Sequence, residues 1–174
     1  QKRVPQNVLE RAALILDVLD RLYPNPPIPL NYINNFTFLC AVLLSAQTTD
    51  GKVNDVTIEL FRVAPDPHSL SKMSHESLFH WSVLCPRSVG LAPTKAKHLI
   101  AMSDQLVERF GGEVPASFKD LESLPGVGHK TASVIMSQAF GIDAFPVDTH
   151  IHRLALRWGL SNSVKNVGRW AYVS

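Results

Sequence analysis

The stretch Leu124-Pro125-Gly126-Val127-Gly128-His129-Lys130 lies between a short segment beginning at Ser117 and a longer one running to Phe140, and it decides how the chain is read. Both flanks have helical apolar spacing, so these residues join two helices as a hairpin. Gly126 and Gly128 tolerate positive φ and let another molecule approach the bare backbone. Successive N–H groups at such a turn, opening a helix, form a site for phosphate, and a nucleic-acid backbone is the obvious polymeric ligand. A tight turn with no ligand uses the same residues, and the turn alone does not separate the two. Lys130 sharpens the reading, because a cation in the first turn of a helix faces the positive end of the macrodipole, at a cost of roughly 0.3–1 kcal/mol. Departures from local rules concentrate at functional sites. The same field disfavours an ammonium and favours a neutral, nucleophilic amine, with partial burial expected to add to it. The competing reading is a solvated lysine paired with a phosphate.

Working outward, helical patterns recur along the whole chain. Val8, Leu9, Ala12, Leu16, Leu19 and Leu22 return at three- and four-residue steps behind Asn7, a fitting cap. Pro24 to Pro29 holds four prolines in six positions, which predicts an extended connector and a boundary between units. Phe36 to Ala46 is apolar on every side, the pattern of a helix in the middle of a bundle. Thr48, Thr49 and Asp50 can cap a helix carrying Val53, Val56, Leu60 and Phe61, which Pro65 and Pro67 are expected to end. Another helix is expected from about Ser74. Thr94 is placed as the cap of a helix to Phe110, closed by Gly111 and Gly112. Ser117 starts a short helix ending near Leu124, His129 to Phe140 forms the next, closed by Gly141, and Asp148 caps one that ends before Gly159. These patterns amount to eight helices with no strand alternation, which makes the class all-α.

Composition narrows the function. With 174 residues, 45% hydrophobic and 18% charged, the chain has the makings of a folded core rather than of a disordered segment. Its longest apolar run, Phe38 to Leu44, is far short of the roughly 20 residues that cross a bilayer. Cys40 and Cys85 are too few for a disulfide scaffold or a four-thiolate metal site, so a reducing, intracellular compartment is expected. Lys and Arg number 17 against 15 Asp and Glu, giving +2 and a pI near 8.6, a mild lean toward polyanions. Lys2 and Arg3 precede no signal-peptide apolar region. The chain opens at Gln1 rather than Met, as expected where a natural N-terminus, with any targeting segment, lies upstream.

A second constellation is Val147-Asp148-Thr149-His150-Ile151-His152. Asp148 is well placed as a helix N-cap, and a capping carboxylate can also stabilise a cationic, sugar-like transition state. A metal site built on Asp148, His150 and His152 would need a strand, because on a helix only Asp148 and His152 align. The cap and Gly159 favour a helix, so no metal is expected.

Leu124-Pro-Gly-Val-Gly-His-Lys130-Thr-Ala, Val147-Asp148-Thr-His150 and Leu43-Leu-Ser-Ala-Gln47-Thr-Thr-Asp50 together resemble the endonuclease III family of helix-hairpin-helix DNA glycosylases, over about residues 14–167. The resemblance implies a six-helix barrel domain over about residues 26–140, with residues 1–25 and 141–174 forming a partial second helical domain. It implies a bifunctional DNA N-glycosylase and abasic-site lyase of base excision repair, acting on oxidised pyrimidines such as thymine glycol. On the same grounds Lys130 is the nucleophile that attacks C1′ of a flipped nucleotide and forms a Schiff base that cuts the strand by β-elimination, with Asp148 the catalytic aspartate. Gln47 fills the gap left by the flipped base, Leu91 wedges into the stack, and Leu124, Gly126, Val127, Gly128 and His150 contact DNA. The expected partner is double-stranded DNA with an oxidised pyrimidine or abasic site. The expected protein is a monomer without a membrane, in a compartment that holds DNA: a bacterial nucleoid, or a nucleus, plastid or mitochondrion.

Two features depart from the family pattern. Family members usually continue past the position of Val167 to four cysteines that ligate a [4Fe–4S] cluster. This chain has none of them, so no cofactor is expected in it. Trp81 to Pro86 is several residues longer than the family's helix leading into Gly90-Leu91, and Pro86 should break that helix and shift the wedge. A DNA-binding protein that grips phosphates without chemistry is the alternative function.

Overall fold

The computed structural model describes residues 7–46, 48–74, 76–78 and 93–161. The described residues are helical, with no strand among them. The elements are α1 (Val8–Leu22), α2 (Asn35–Ser45), α3 (Asp50–Val63), α4 (Pro67–Ser71), α5 (Pro93–Phe110), α6 (Phe118–Glu122), α7 (His129–Phe140) and α8 (Thr149–Arg157). The chain divides into two compact units. One consists of residues 1–28 and 147–174, the other of residues 29–146, and the first division falls in the proline-rich connector.

The larger unit is organised by α2, which packs against α3, α5 and α7. Its residues Phe36 to Leu44 are all buried, as an all-round apolar helix requires. A capping box starts it: the Asn34 side chain accepts from the Thr37 amide at 2.9 Å, and Thr37 Oγ1 accepts from the Asn34 amide at 2.9 Å. Leu60, Leu70, Leu99, Met102, Leu106, Leu121 and Ile135 complete the core from the other helices. Glycine ends two of those helices. Gly111 and Gly112 follow α5 with φ of 62° and 86°, and Gly141 follows α7 with φ 63°, so left-handed residues receive the last carbonyls where the sequence placed them.

Local readings fail where a residue has two possible uses. Pro67 begins α4 instead of merely ending α3. Asp66 caps that helix through bonds to the Ser69 amide and hydroxyl at 2.9 and 2.7 Å, and proline fits the first helical turn because its missing N–H would be an orphan there. Pro93 likewise starts α5, so Thr94 lies inside the first turn rather than at the cap. Thr49 is the N-cap of α3 but makes no side-chain cap bond. The helix expected from about Ser74 is seen at residues 76–78, and the Trp81 to Pro86 segment lies outside the described residues.

In the smaller unit, α1 is capped by Asn7, whose side chain accepts from the Leu9 amide at 2.9 Å. Arg11 Nη2 donates to the Gly159 carbonyl at 2.8 Å, tying α1 to the left-handed turn after α8. Neither α1 nor α8 contributes a buried residue; Leu9 is 77% exposed. Two described helices are too few to cover each other's apolar faces.

Asp66 provides a test of the α4 cap. The Ser69 hydroxyl, and then its amide, hold the Asp66 carboxyl below the usual carboxylate range. A carboxyl depressed on folding adds stability above its unfolded value, and that stability fades as pH falls through the lower folded one. Asp66→Ala should lose about 1 kcal/mol in urea unfolding at pH 7. The gap to the parent should narrow as the pH is lowered below about 4.

Candidate nucleic-acid interface

The hairpin joins α6 to α7 in the larger unit. Ser117 caps α6, and a series of turn bonds carries the chain round: Ser123 N to Asp120 O at 3.2 Å, Leu124 N to Leu121 O at 3.0 Å, and Val127 N to Leu124 O at 3.1 Å. Leu124 and Val127 are 2% and 6% exposed, so their side chains belong to the core and their amides to the turn. What they offer a ligand is the shape of the hairpin.

The two glycines differ. Gly126 has φ 79°, and a Cβ there would lie 2.8 Å from His98 Nδ1, 2.9 Å from Cγ and 3.0 Å from Cβ of the same side chain on α5. Both conformation and space require glycine. Gly128 has an ordinary φ of −95°, and a Cβ on it would meet nothing within 4 Å. The fold does not need glycine at 128, and the backbone there is open to the approach of another molecule.

As the N-cap of α7, Gly128 brings no side-chain acceptor to the opening N–H groups, which leaves that helix end suited to an anion. His129 braces it, stacking on Phe118 at 5.6 Å between ring centroids and meeting Glu122 Oε1 through Nδ1 at 2.6 Å. Lys130 follows in the first turn and is exposed, so the partial burial expected from the sequence is not seen among the described residues.

In the smaller unit, Asp148 is half-buried and caps α8, with Oδ1 accepting from the Ile151 amide at 2.8 Å. His150 is exposed, and its Nδ1 accepts from Arg153 Nη2 at 2.9 Å, which leaves the ring proton of the neutral imidazole on Nε2. No cluster of three or more His, Cys, Asp or Glu side chains able to hold a metal occurs among the described residues. Cys40 does not fit an iron–sulfur cluster either. It is completely buried in α2, and burial pushes its thiol up, away from the thiolate such a ligand must be. Gln47 and Leu91 lie outside the described residues, as does Cys85.

Sequence reasoning missed Lys95, whose ammonium donates to the carbonyls of Leu44 and Ala46 and to Thr48 Oγ1. The signal was present: like Lys130, it is a cation in the first turn of a helix.

Residues 40–169 match the model of the HhH-GPD superfamily of base excision DNA repair proteins. Endonuclease III of Treponema pallidum (strain Nichols) is 47% identical over 148 residues, which are 85% of this chain and 68% of that protein. Endonuclease III of Escherichia coli (strain K12) is 41% identical over 145 residues, 82% of this chain and 67% of that one. Two solved structures align with a TM-score of 0.83 each, over 94% of this chain and 74% of theirs. One is a non-covalent endonuclease III–DNA complex at 34% identity, the other a trapped endonuclease III–DNA covalent intermediate at 36%.

The two glycines should separate under substitution. Gly126→Ala should lose about 2–4 kcal/mol of stability, from left-handed strain and the collision with His98. Gly128→Ala should lose less than about 1 kcal/mol, the difference between two weak N-caps. Urea unfolding of both variants measures this.

Proposed function

The chain belongs to the endonuclease III family within the HhH-GPD superfamily of base excision DNA repair proteins, and from that premise we propose how its residues do the work. It is a DNA glycosylase and abasic-site lyase that removes oxidised pyrimidines and cuts the strand. Lys130 is the nucleophile and Asp148 the catalytic aspartate. The observation that carries this assignment is Lys130 itself: an exposed amine in the first turn of α7, two residues after a glycine whose open side nothing in the fold demands.

The chemistry follows from these positions. Phosphates grip the hairpin where Gly128 leaves the backbone bare and α7 presents uncapped N–H groups. That grip brings a nucleotide turned out of the stack against Lys130, and unstacking it requires a few kcal/mol that the phosphate contacts must supply. The bound nucleotide displaces water from around the exposed amine. The amine lone pair then attacks C1′, the C1′–N bond breaks, and the base leaves with its electrons and takes up a proton. Opening of the sugar ring gives a protonated Schiff base between Lys130 and C1′. Loss of a C2′ proton expels the 3′ phosphate and cuts the strand. Positive charge grows on the sugar during attack, and a carboxylate is the group to stabilise it. The cap bond to Ile151 fixes the Asp148 carboxylate in orientation.

His150 and Gly128 are read as DNA contacts and Gln47 and Leu91 as the residues that enter the stack. The substrate is double-stranded DNA carrying an oxidised pyrimidine or an abasic site, and a monomer acts on it. No helix among the described residues is long and apolar enough to cross a membrane. The compartment is one that holds DNA. No step is assigned to a metal or an iron–sulfur cluster.

Borohydride reduction on abasic-site duplex tests the nucleophile. The parent chain should be captured covalently on the DNA and Lys130→Gln should not; an adduct of equal yield with Lys130→Gln would remove the assignment. Asp148→Asn should slow base release roughly 100-fold or more, by analogy with losing one preorganised electrostatic group. Gly128→Ala, though close to the parent in stability, should bind duplex more weakly and with a shallower salt dependence, because fewer phosphate contacts release fewer counterions.

A further inference from the structure

The start of α7 is fixed from outside rather than by a cap. Gly128 brings it no side-chain cap bond, and glycine is the residue with the most backbone freedom to lose. His129, the first residue of α7, reaches back across the hairpin to both ends of α6. Its ring lies 5.6 Å from that of Phe118 at an interplanar angle of 23°, and its Nδ1 meets Glu122 Oε1 at 2.6 Å. Phe118 and Glu122 are four residues apart and share one face of α6. On the other side, the His129 carbonyl accepts from Ser133 Oγ at 2.8 Å, and Ser133 is buried.

Two demands conflict at this helix end. A helix start needs its opening turn ordered, and the usual device is an N-cap oxygen that accepts from the amide two or three residues on. An anion site in the same place needs those amides for itself. A side-chain cap would give order and occupy the donors. His129 gives order through its ring face and its Nδ1, both of which are directed to α6, so the helix end gains a brace without a capping oxygen. The two contacts also fix the ring in different directions: the carboxylate sets where its edge points, and the phenyl ring sets its tilt.

We propose that His129 is a positioning residue for DNA binding: held on Phe118 and Glu122, it orders the uncapped first turn of α7 in advance for a phosphate of duplex DNA. This rests on the reading of the hairpin as a phosphate site. Order present before binding is order that binding need not create, so removing the brace is read as lost affinity. The number of phosphates contacted stays the same, and so does the rate once DNA is bound.

The experiment measures affinity across a salt series for a duplex carrying a tetrahydrofuran abasic analogue, which has no aldehyde and is not cut. His129→Ala should bind roughly tenfold more weakly than the parent, with the slope of log affinity against log salt unchanged. Single-turnover base release from thymine glycol duplex at saturating protein should stay within about twofold of the parent. His129→Gln can still donate to Glu122 but has no ring to stack; it should fall between the two, and it carries the test if His129→Ala does not fold. Glu122→Ala removes a carboxylate beside the hairpin as well as half of the brace, so it is read in both backgrounds. Its effect on affinity should differ by about threefold or more between the parent and His129→Ala, because only the parent has a brace to lose. Equal effects in the two would overturn the proposal. So would a slope lowered by about one, the mark of a direct phosphate contact, or a roughly tenfold slower release at saturation with affinity intact. Gly128→Ala reads the phosphate site separately. If it weakens binding while His129→Ala matches the parent, this inference alone falls; if neither changes binding, the phosphate site falls with it.

Discussion

Gly126 sits in a left-handed conformation with no room for a Cβ against the His98 ring, and the placement of the hairpin follows from that contact. The backbone of the turn lies directly on a side chain of α5, a helix of the core, so the hairpin inherits the rigidity of the packed interior. Leu124 and Val127 fix it from within, on either side of that contact. The first turn of α7 then starts from a fixed point, with Gly128 and Lys130 exposed on it. A side chain on an exposed turn is held in place only if its base does not move. Here a half-buried histidine supplies that constraint, and a larger residue at 126 would abolish it.

Elements whose ends carry a residue with a single plausible use were legible in the sequence. Asn7 and Asp148 lie just before helices, and Gly141 just after one, where φ of 63° rewards glycine. The all-round apolar run Phe36 to Ala46 reads as a central helix, and Phe36 to Leu44 are buried while Ser45 is half-buried and Ala46 exposed. Residues with two uses misled. A proline ends one helix and starts the next, and Pro67 does the second in a place where the first was expected. Thr49 is the N-cap of α3 without a side-chain cap bond, and its neighbour Thr48 accepts through Oγ1 from Lys95 across 47 positions of sequence. No local pattern contains that bond.

The same division runs through the candidate site. The hairpin and Lys130 were legible because glycine and a misplaced cation both break local rules. The side chains of Leu124 and Val127, read with them as DNA contacts, are buried in the core; a motif marks a stretch of chain without saying which of its side chains face inward. The amphipathic pattern of α1 was also read correctly as a helix, but its apolar face remains uncovered among the described residues, since burial depends on neighbours that periodicity does not name.

Lys95 and Lys130 show how one anomaly in sequence divides into two physical roles. Each is a cation in the first turn of a helix, and each opposes its own macrodipole. For Lys95 the compensation is inside the fold: the carbonyl end of α2 meets its ammonium and takes up its donors. The apparent violation is resolved by a second helix, and the residue becomes part of the framework. Lys130, by contrast, is exposed in the first turn of α7. Charge placed against a dipole therefore marks function only after the rest of the fold has been searched for its counterweight.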